Sequence, residues 1–337
     1  MQLMTKRERV MAAIRGEEVD KVPFSLWYHL PHLDQDPIAL AEEQIHLAKL
    51  YDLDFIKMMP FGNYVAQDYG LSVDFFCTRT QPAFERKFGI ESPDEWLQIE
   101  PLSATYGTYG KQLQLSLQMK KRLKEDIPYV QTIFSPLTVA KKLAGSRVFE
   151  DMRNYPDYLH KALAAITETT INFVKANIDA GVSGFFFATQ CATRDYLTLE
   201  EHSGFGEAYD RRVIEAYADI TPFNILHIHG PNTYFKQLAE YPVNCINWHD
   251  RWVEPDMKTA RTMSDKCFLG GINEKWLEHA EYDEVGEHLR QAVETAGRRS
   301  LMLTPGCCIE LDTSEKTCWQ PLWQLTVCKY NKSGKGG

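Results

Sequence analysis

Short apolar runs alternate with longer amphipathic stretches along most of the chain. The apolar runs fall at 22–27, 54–59, 129–134, 184–189, 224–229, 244–248, 267–272 and 301–304. Each has the length of a strand and lacks a helical rhythm, so each reads as a strand buried on both faces. Between them, apolar residues recur every three or four positions. Segment 37–51 carries Leu40, Ile45, Leu47 and Leu50, and segment 156–179 carries Leu159, Leu163, Ile166, Ile171, Phe173 and Val174. The same rhythm predicts helices at 199–220, 233–241, 254–264, 282–296 and 314–327. Asp179-Ala180-Gly181 supplies the glycine of a helix exit, and Thr313-Ser314-Glu315 looks like a helix start. Eight strands alternating with helices predict an α/β fold, a parallel sheet closed into a TIM (β/α)8 barrel.

One stretch departs from the alternation. Residues 62–126 are too many for a single crossover. Within them, 73–76 and 112–119 alternate in polarity, which predicts a β-hairpin or small antiparallel sheet inserted after the second strand. An insertion there lies at the barrel mouth and would act as a lid or a partner surface. The expected organisation is one barrel domain over 1–330, with 62–126 as its lid and 331–337 as a flexible tail.

Composition narrows the functional classes. A net charge of -9 argues against a nucleic-acid partner, which needs a basic face. No apolar window long enough to span a bilayer and no secretory pattern is visible, so no membrane partner and a cytoplasmic location are expected. The eight cysteines are scattered and read as reduced thiols; a disulfide between the adjacent Cys307 and Cys308 would be strained.

Barrel chemistry sits just past the C-terminal ends of the strands. Those positions hold Tyr28, His29 and His32, then Met58 and Met59, then Phe134 and Ser135, then Gln190 and Cys191. His227 and His229 end the fifth strand, His249 and Asp250 the sixth, Asn273 the seventh and Cys307 the eighth. Side chains two apart on a strand share a face, so His227 and His229 point the same way. Two imidazoles and a thiolate form a three-ligand zinc site with an open fourth position, the mark of a catalytic rather than a structural zinc. The fifth and eighth strands lie three apart around the ring, so His227, His229 and Cys307 can reach one ion across the mouth. His29 reads as a fourth ligand, a proton donor or a capped loop histidine. Asp250 either accepts a hydrogen bond from a metal-bound imidazole or caps a helix near Trp252. Asn273 and Gln190 are candidate substrate contacts. Alternation turns Cys308 away from Cys307, and Met58 and Met59 read as core.

Several motifs, spread from end to end, carry a resemblance. They are Thr5-Lys6-Arg7-Glu8-Arg9-Val10, Arg15-Gly16-Glu17-Glu18-Val19-Asp20-Lys21-Val22-Pro23, Phe134-Ser135-Pro136-Leu137-Thr138, Asp179-Ala180-Gly181-Val182, Leu269-Gly270-Gly271-Ile272-Asn273 and Thr304-Pro305-Gly306-Cys307. The chain resembles the uroporphyrinogen decarboxylase-like superfamily, which includes corrinoid-dependent methyltransferases acting on coenzyme M. The resemblance implies a TIM barrel, in agreement with the strand count. It also divides the superfamily. The decarboxylase branch holds a tetrapyrrole with arginines after the first strand, but no arginine occurs here between Arg15 and Arg79. The methyltransferase branch binds zinc through a His-x-Cys pair and a distant cysteine. Here His227 matches the first ligand and Cys307 the last, and His229 stands where the branch has cysteine.

The reading that follows is a zinc-dependent methyltransferase. Zinc would bind a small-molecule thiol, and the thiolate would take a methyl group from a corrinoid carried by a partner protein, since no cobalamin-binding module is visible in this chain. In that reading His227, His229 and Cys307 are ligands, Asp250 supports an imidazole, and His29, Gln190 and Asn273 contact substrate. A uroporphyrinogen decarboxylase-like lyase acting on a carboxylated substrate through Arg79, Arg86 or Arg194 is the rival. A non-catalytic barrel that binds a corrinoid is the third class.

Overall fold

The computed structural model describes residues 3–311 and 313. The strands are β1 (Ile56–Lys57), β2 (Ser72–Asp74), β3 (Phe84–Lys87), β4 (Tyr129–Phe134), β5 (Gly184–Thr189), β6 (Ile225–Ile228), β7 (Cys245–Trp248), β8 (Cys267–Ile272) and β9 (Leu301–Pro305). Seven form one all-parallel sheet in the order β1-β4-β5-β6-β7-β8-β9, which is the order of the chain. Helices separate most of them, so the sheet curls into the predicted barrel.

The eighth stave is the predicted strand at 22–27, reduced to a single bridge from Phe24 to Leu303. Ser25 N donates to Leu303 O at 3.1 Å and Leu303 N to Pro23 O at 2.8 Å. On the other edge Asp54 N donates to Phe24 O at 2.8 Å, and Ser25 Oγ to Phe55 O at 2.7 Å. The gap between β9 and β1 is thus closed by a few hydrogen bonds, with the proline removing one ladder donor.

Helix positions follow local chemistry. Thr5 caps Lys6–Ile14 in a reciprocal box with Glu8, and Asp36 caps Pro37–Leu50 with proline in its first turn. Helix Pro156–Asp179 ends where read, with Gly181 at φ +88°. The predicted helix at 199–220 is three pieces, Leu199–His202, a π-turn over Ser203–Glu207, and Ala208–Glu215. The segments at 233–241 and 254–264 shorten to Phe235–Leu238 and Met257–Arg261. Helices at Pro136–Ala144 and Arg147–Asn154 were not foreseen. The helix expected at 314–327 and the tail at 331–337 lie outside the described residues. No helix among the described residues is long and apolar enough to cross a membrane.

The stretch after β1 needs a correction. Segment 112–119 is not a strand; it lies inside helix Gly107–Arg122. Leu113, Leu115, Leu117 and Met119 alternate in sequence, but the buried set includes Tyr109, Gln112, Leu113, Ser116 and Met119, a helical spacing in which two polar residues take part. Ser116 Oγ accepts from Gln131 Nε2 of β4 and donates to Asn177 Oδ1, which gives that polar position a reason to face inward; the Gln112 backbone carbonyl accepts from the same Gln131 amide. Segment 73–76 is extended as expected in part: β2 pairs antiparallel with β3, not with 112–119.

Alternation along β5 divides the two faces of the sheet. Phe185 packs outward on Tyr217 of the helix layer, ring centroids 4.7 Å apart. Phe186 points into the barrel, 5.7 Å from Trp27 and 5.0 Å from His227. Met58 and Met59 are buried in the core, as read.

Candidate metal centre

Three strand ends converge at the mouth. His229 follows β6, His249 follows β7, and Gly306 and Cys307 follow β9. His229, His249 and Cys307 each offer one ligand atom, and all three atoms lie within 4.8 Å of one another. The two imidazoles have ring centroids 5.0 Å apart. His227 sits one layer deeper on the same face of β6, its Nε2 3.9 Å from Cys307 Sγ. The structure therefore brings the predicted His229 and Cys307 together, keeps His227 against the cysteine, and adds His249.

The electrostatics suit cation binding. Burial, then the charges of neighbouring imidazoles, hold His227 well below its usual pKa. The same causes bring His229 down to about 4. At neutral pH these rings are uncharged and keep a lone pair for a metal. His249 is oriented by a carboxylate: its Nδ1 is 2.5 Å from Glu274 Oε1, which also accepts from Trp252 Nε1 at 2.9 Å. Burial is the largest influence on Glu274 and works to raise its pKa, but the hydrogen bond and charge of His249, with the Glu274 backbone N–H and Trp252, together outweigh it and hold the pKa below the usual value. The other His249 nitrogen, Nε2, is buried and has no hydrogen-bond partner among the described residues. A carboxylate on one ring nitrogen and a bare second nitrogen is how proteins orient a metal-ligating histidine. The donor set thus fits a metal ion.

A second layer surrounds these groups. Lys57, at the end of β1, is buried inside the barrel. Its Nζ meets Met59 Sδ at 2.7 Å and lies 4.5 Å over the Phe186 ring and 5.8 Å from that of Trp27. Burial lowers its pKa, and the nearby Cys308 and Cys307 oppose the shift. Cys308 does not point away as expected: its Sγ is 3.6 Å from His29 Nε2 at the mouth. The Cys307 thiol favours an anionic sulfur at Cys308, and His29 and Lys57 add to that against burial. Burial works against a charge on His29, yet the Cys308 sulfur holds its pKa above the usual value. A cavity of about 300 Å³ opens beside His29, lined by Tyr28, His32, Glu43, Arg79 and Glu310 among others.

The remaining predicted site residues lie elsewhere. Asp250 touches no imidazole and caps no helix near Trp252; both carboxylate oxygens accept from Gly271 N, at 3.0 and 3.1 Å. Burial raises its pKa to about 7. Asn273 caps helix Glu274–Leu277, its Oδ1 accepting from Lys275 N and Trp276 N. It places Glu274 rather than facing the centre. Gln190 is half-buried at the end of β5, where its backbone N donates to Thr138 Oγ1.

A family model described as Uroporphyrinogen decarboxylase (URO-D) matches residues 5–319. The chain belongs to the uroporphyrinogen decarboxylase family. Within reach of this family are curated relatives of two kinds. A methylcobamide:CoM methyltransferase MtaA of Methanosarcina barkeri is 21% identical over 264 residues, 71% of this chain and 74% of the relative. A uroporphyrinogen decarboxylase of Dechloromonas aromatica (strain RCB) is 25% identical over 281 residues, 79% of this chain and 76% of the relative. Among solved structures, a methyltransferase from Methanosarcina mazei superposes with a TM-score of 0.79 at 18% identity, covering 96% of this chain and 97% of that one. That likeness establishes the shared barrel. The relatives are enzymes by name, and they divide over chemistry as the sequence motifs do.

Proposed function

We propose that this member of the uroporphyrinogen decarboxylase family is a zinc-dependent methyltransferase, moving a methyl group from a corrinoid on a partner protein to a small-molecule thiol. The observation that carries the reading is the buried, unpartnered Nε2 of His249, converging with His229 and Cys307 at the barrel mouth. Two imidazoles and one cysteine sulfur, which a bound zinc would deprotonate, are a donor set for zinc that leaves room for substrate. His229, His249 and Cys307 would hold the ion, with His227 outside that set, its Nε2 against the Cys307 sulfur. Zinc bound there supplies a Lewis acid that keeps an acceptor thiol ionised near neutral pH.

The chain's own residues prepare the rest. Glu274 fixes the His249 ring so that Nε2 faces the centre. Lys57 places a cation beneath the site without a carboxylate partner among the described residues, which favours an anionic sulfur above it. Trp27 and Phe186 wall the barrel interior and exclude water. His29 and Gln190, at the rim, are the proposed substrate contacts. The β2–β3 hairpin follows β1 at the mouth and exposes Phe76 and Phe84, so it is the proposed lid or partner surface of a single barrel domain. The name of the Methanosarcina barkeri relative supports the pairing of a corrinoid donor with this acceptor chemistry. The cytoplasm, where thiols stay reduced, is the proposed location.

Elemental analysis tests the site, with wild type beside His249→Ala and Cys307→Ala. About one equivalent of zinc, lost in either variant, is expected. Transfer of a methyl group from a methylated corrinoid to candidate thiols follows. No stoichiometric metal after zinc addition under reducing conditions overturns the reading. Tight corrinoid binding with no product would instead mark a non-catalytic barrel.

One observation favours a second reading, a lyase acting on a carboxylated substrate. Arg79 lines the cavity beside His29. Arg86 is engaged by Asp74, and Arg194 donates to Thr233 O at 3.3 Å. Binding of a polycarboxylate that depends on Arg79 and not on zinc would select this alternative.

A further inference from the structure

Asn247 sits fully buried in β7. Its Nδ2 donates to Leu269 O at 2.9 Å and to Pro305 O at 3.0 Å. An amide nitrogen has two hydrogens, so both are used. A flipped amide would turn its oxygen towards two carbonyl oxygens, which excludes that orientation. The Oδ1 consequently faces His227 Nδ1, at 2.6 Å. An acceptor there requires a hydrogen on Nδ1, and the neutral ring then carries its lone pair on Nε2. That nitrogen faces Cys307 Sγ at 3.9 Å. The same amide ties β6, β8 and β9 together, two residues before the cysteine.

We propose that Asn247 is a positioning residue that fixes the tautomer and orientation of His227, so that the Nε2 lone pair faces the Cys307 sulfur of the centre formed by His229, His249 and Cys307. The second half rests on the reading of that centre as a metal site; the first half does not. Asn247 does for His227 what Glu274 does for His249, with a neutral amide in place of a carboxylate. A neutral acceptor makes the ring less basic, so His227 Nε2 is a weaker base than His249 Nε2.

The test compares wild type with Asn247→Leu, which removes the acceptor, and Asn247→Asp, which keeps an oxygen facing His227 and, as a buried protonated carboxyl, a donor facing the carbonyls of Leu269 and Pro305. Side-chain nitrogen NMR of the metal-free proteins reads the His227 tautomer. The expected result is the Nδ1–H form in wild type and Asn247→Asp, and a change in Asn247→Leu. Cobalt-substituted protein then reads the coordination sphere by its visible spectrum. Asn247→Leu is expected to shift that spectrum and to weaken metal binding about tenfold, while Asn247→Asp restores the wild-type spectrum. A wild-type tautomer and spectrum in Asn247→Leu overturns the proposal, as does an Nε2–H ring in wild type. If Asn247→Leu does not fold, a changed tautomer in Asn247→Asp overturns it and the retained Nδ1–H form supports it. Failure of every protein to bind metal sinks the metal reading alone, because the tautomer is measured without metal.

Discussion

His249 Nδ1 lies 2.5 Å from Glu274 Oε1, across the gap between the ends of β7 and β8. Two consequences follow from this contact. It forces a hydrogen onto Nδ1 and leaves Nε2 bare, and it makes the imidazole more electron-rich. Glu274→Gln keeps the shape and loses the charge. Metal affinity is expected to fall about 10- to 100-fold, with one equivalent still bound at saturation. Competition with a chelator of known affinity measures this. An unchanged affinity would remove Glu274 from the centre.

Gly306 makes a second, sharper prediction. A Cβ at this position would lie 2.7 Å from Trp248 O, 2.8 Å from His249 Cα and 3.0 Å from Glu274 Oε2. The first two are backbone contacts that cannot yield cheaply. Gly306→Ala must therefore push β9 away from β7 and move Cys307 off His249. The expected cost is about 1–3 kcal/mol of stability, with loss of most metal affinity. Denaturant midpoints and zinc content together check it. A folded variant with wild-type zinc content would refute the close approach.

The barrel was legible because eight apolar runs are long enough to count and the helices between them keep a clean period. Gln112–Met119 misled because Leu113, Leu115, Leu117 and Met119 alternate, while the buried Ser116 meets its partners, Gln131 of β4 and Asn177, only once the barrel is folded. His229 and Cys307 were legible from strand ends alone. His249 stood in the same register, ending the sixth strand, yet its role needs Glu274, which is distant in sequence and carries no local signature. Lys57 had a signal that went unused: a lone cation inside the apolar run 54–59. What Asp250 and Asn273 touch was not legible because their backbone partners, Gly271 N and the first turn of Glu274–Leu277, exist only once the strands are folded beside each other.

Lys57 gives a prediction that separates stability from function. Burial lowers its pKa, so the unfolded chain binds that proton more tightly than the folded one. Stability then rises with pH from the folded-state pKa up to the ordinary lysine value of 10.5. Lys57→Met keeps the length and removes the charge. It is expected to raise the urea midpoint at pH 7, by a margin that narrows towards pH 10, while methyl transfer is lost. A less stable Lys57→Met protein at pH 7 would mean that the ammonium is compensated in a way the thioether and aromatic contacts do not explain.

Acid stability is set at the opposite end of the barrel by Asp20. Arg9 grips it with two hydrogen bonds, Nε to Oδ1 at 2.6 Å and Nη2 to Oδ2 at 2.7 Å, and reaches Asp54 with Nη1 at 2.6 Å. Burial works to raise the Asp20 pKa, but Arg9 and the backbone N–H groups of Met4 and Lys21 outweigh it and hold the carboxyl at about 2. The ordinary value is 3.8, so the unfolded chain takes up the proton first as pH falls. The ion pair's contribution is therefore complete above about pH 5 and lost as pH falls from 4 towards 2, a total of roughly 2 kcal/mol. Asp20→Asn should lower stability by about that amount at pH 6, leaving Arg9 to Asp54 alone. Urea melts of both proteins between pH 2 and pH 6 should draw together towards the acid end. A difference that stays constant across the range would show that Asp20 acts through shape rather than charge.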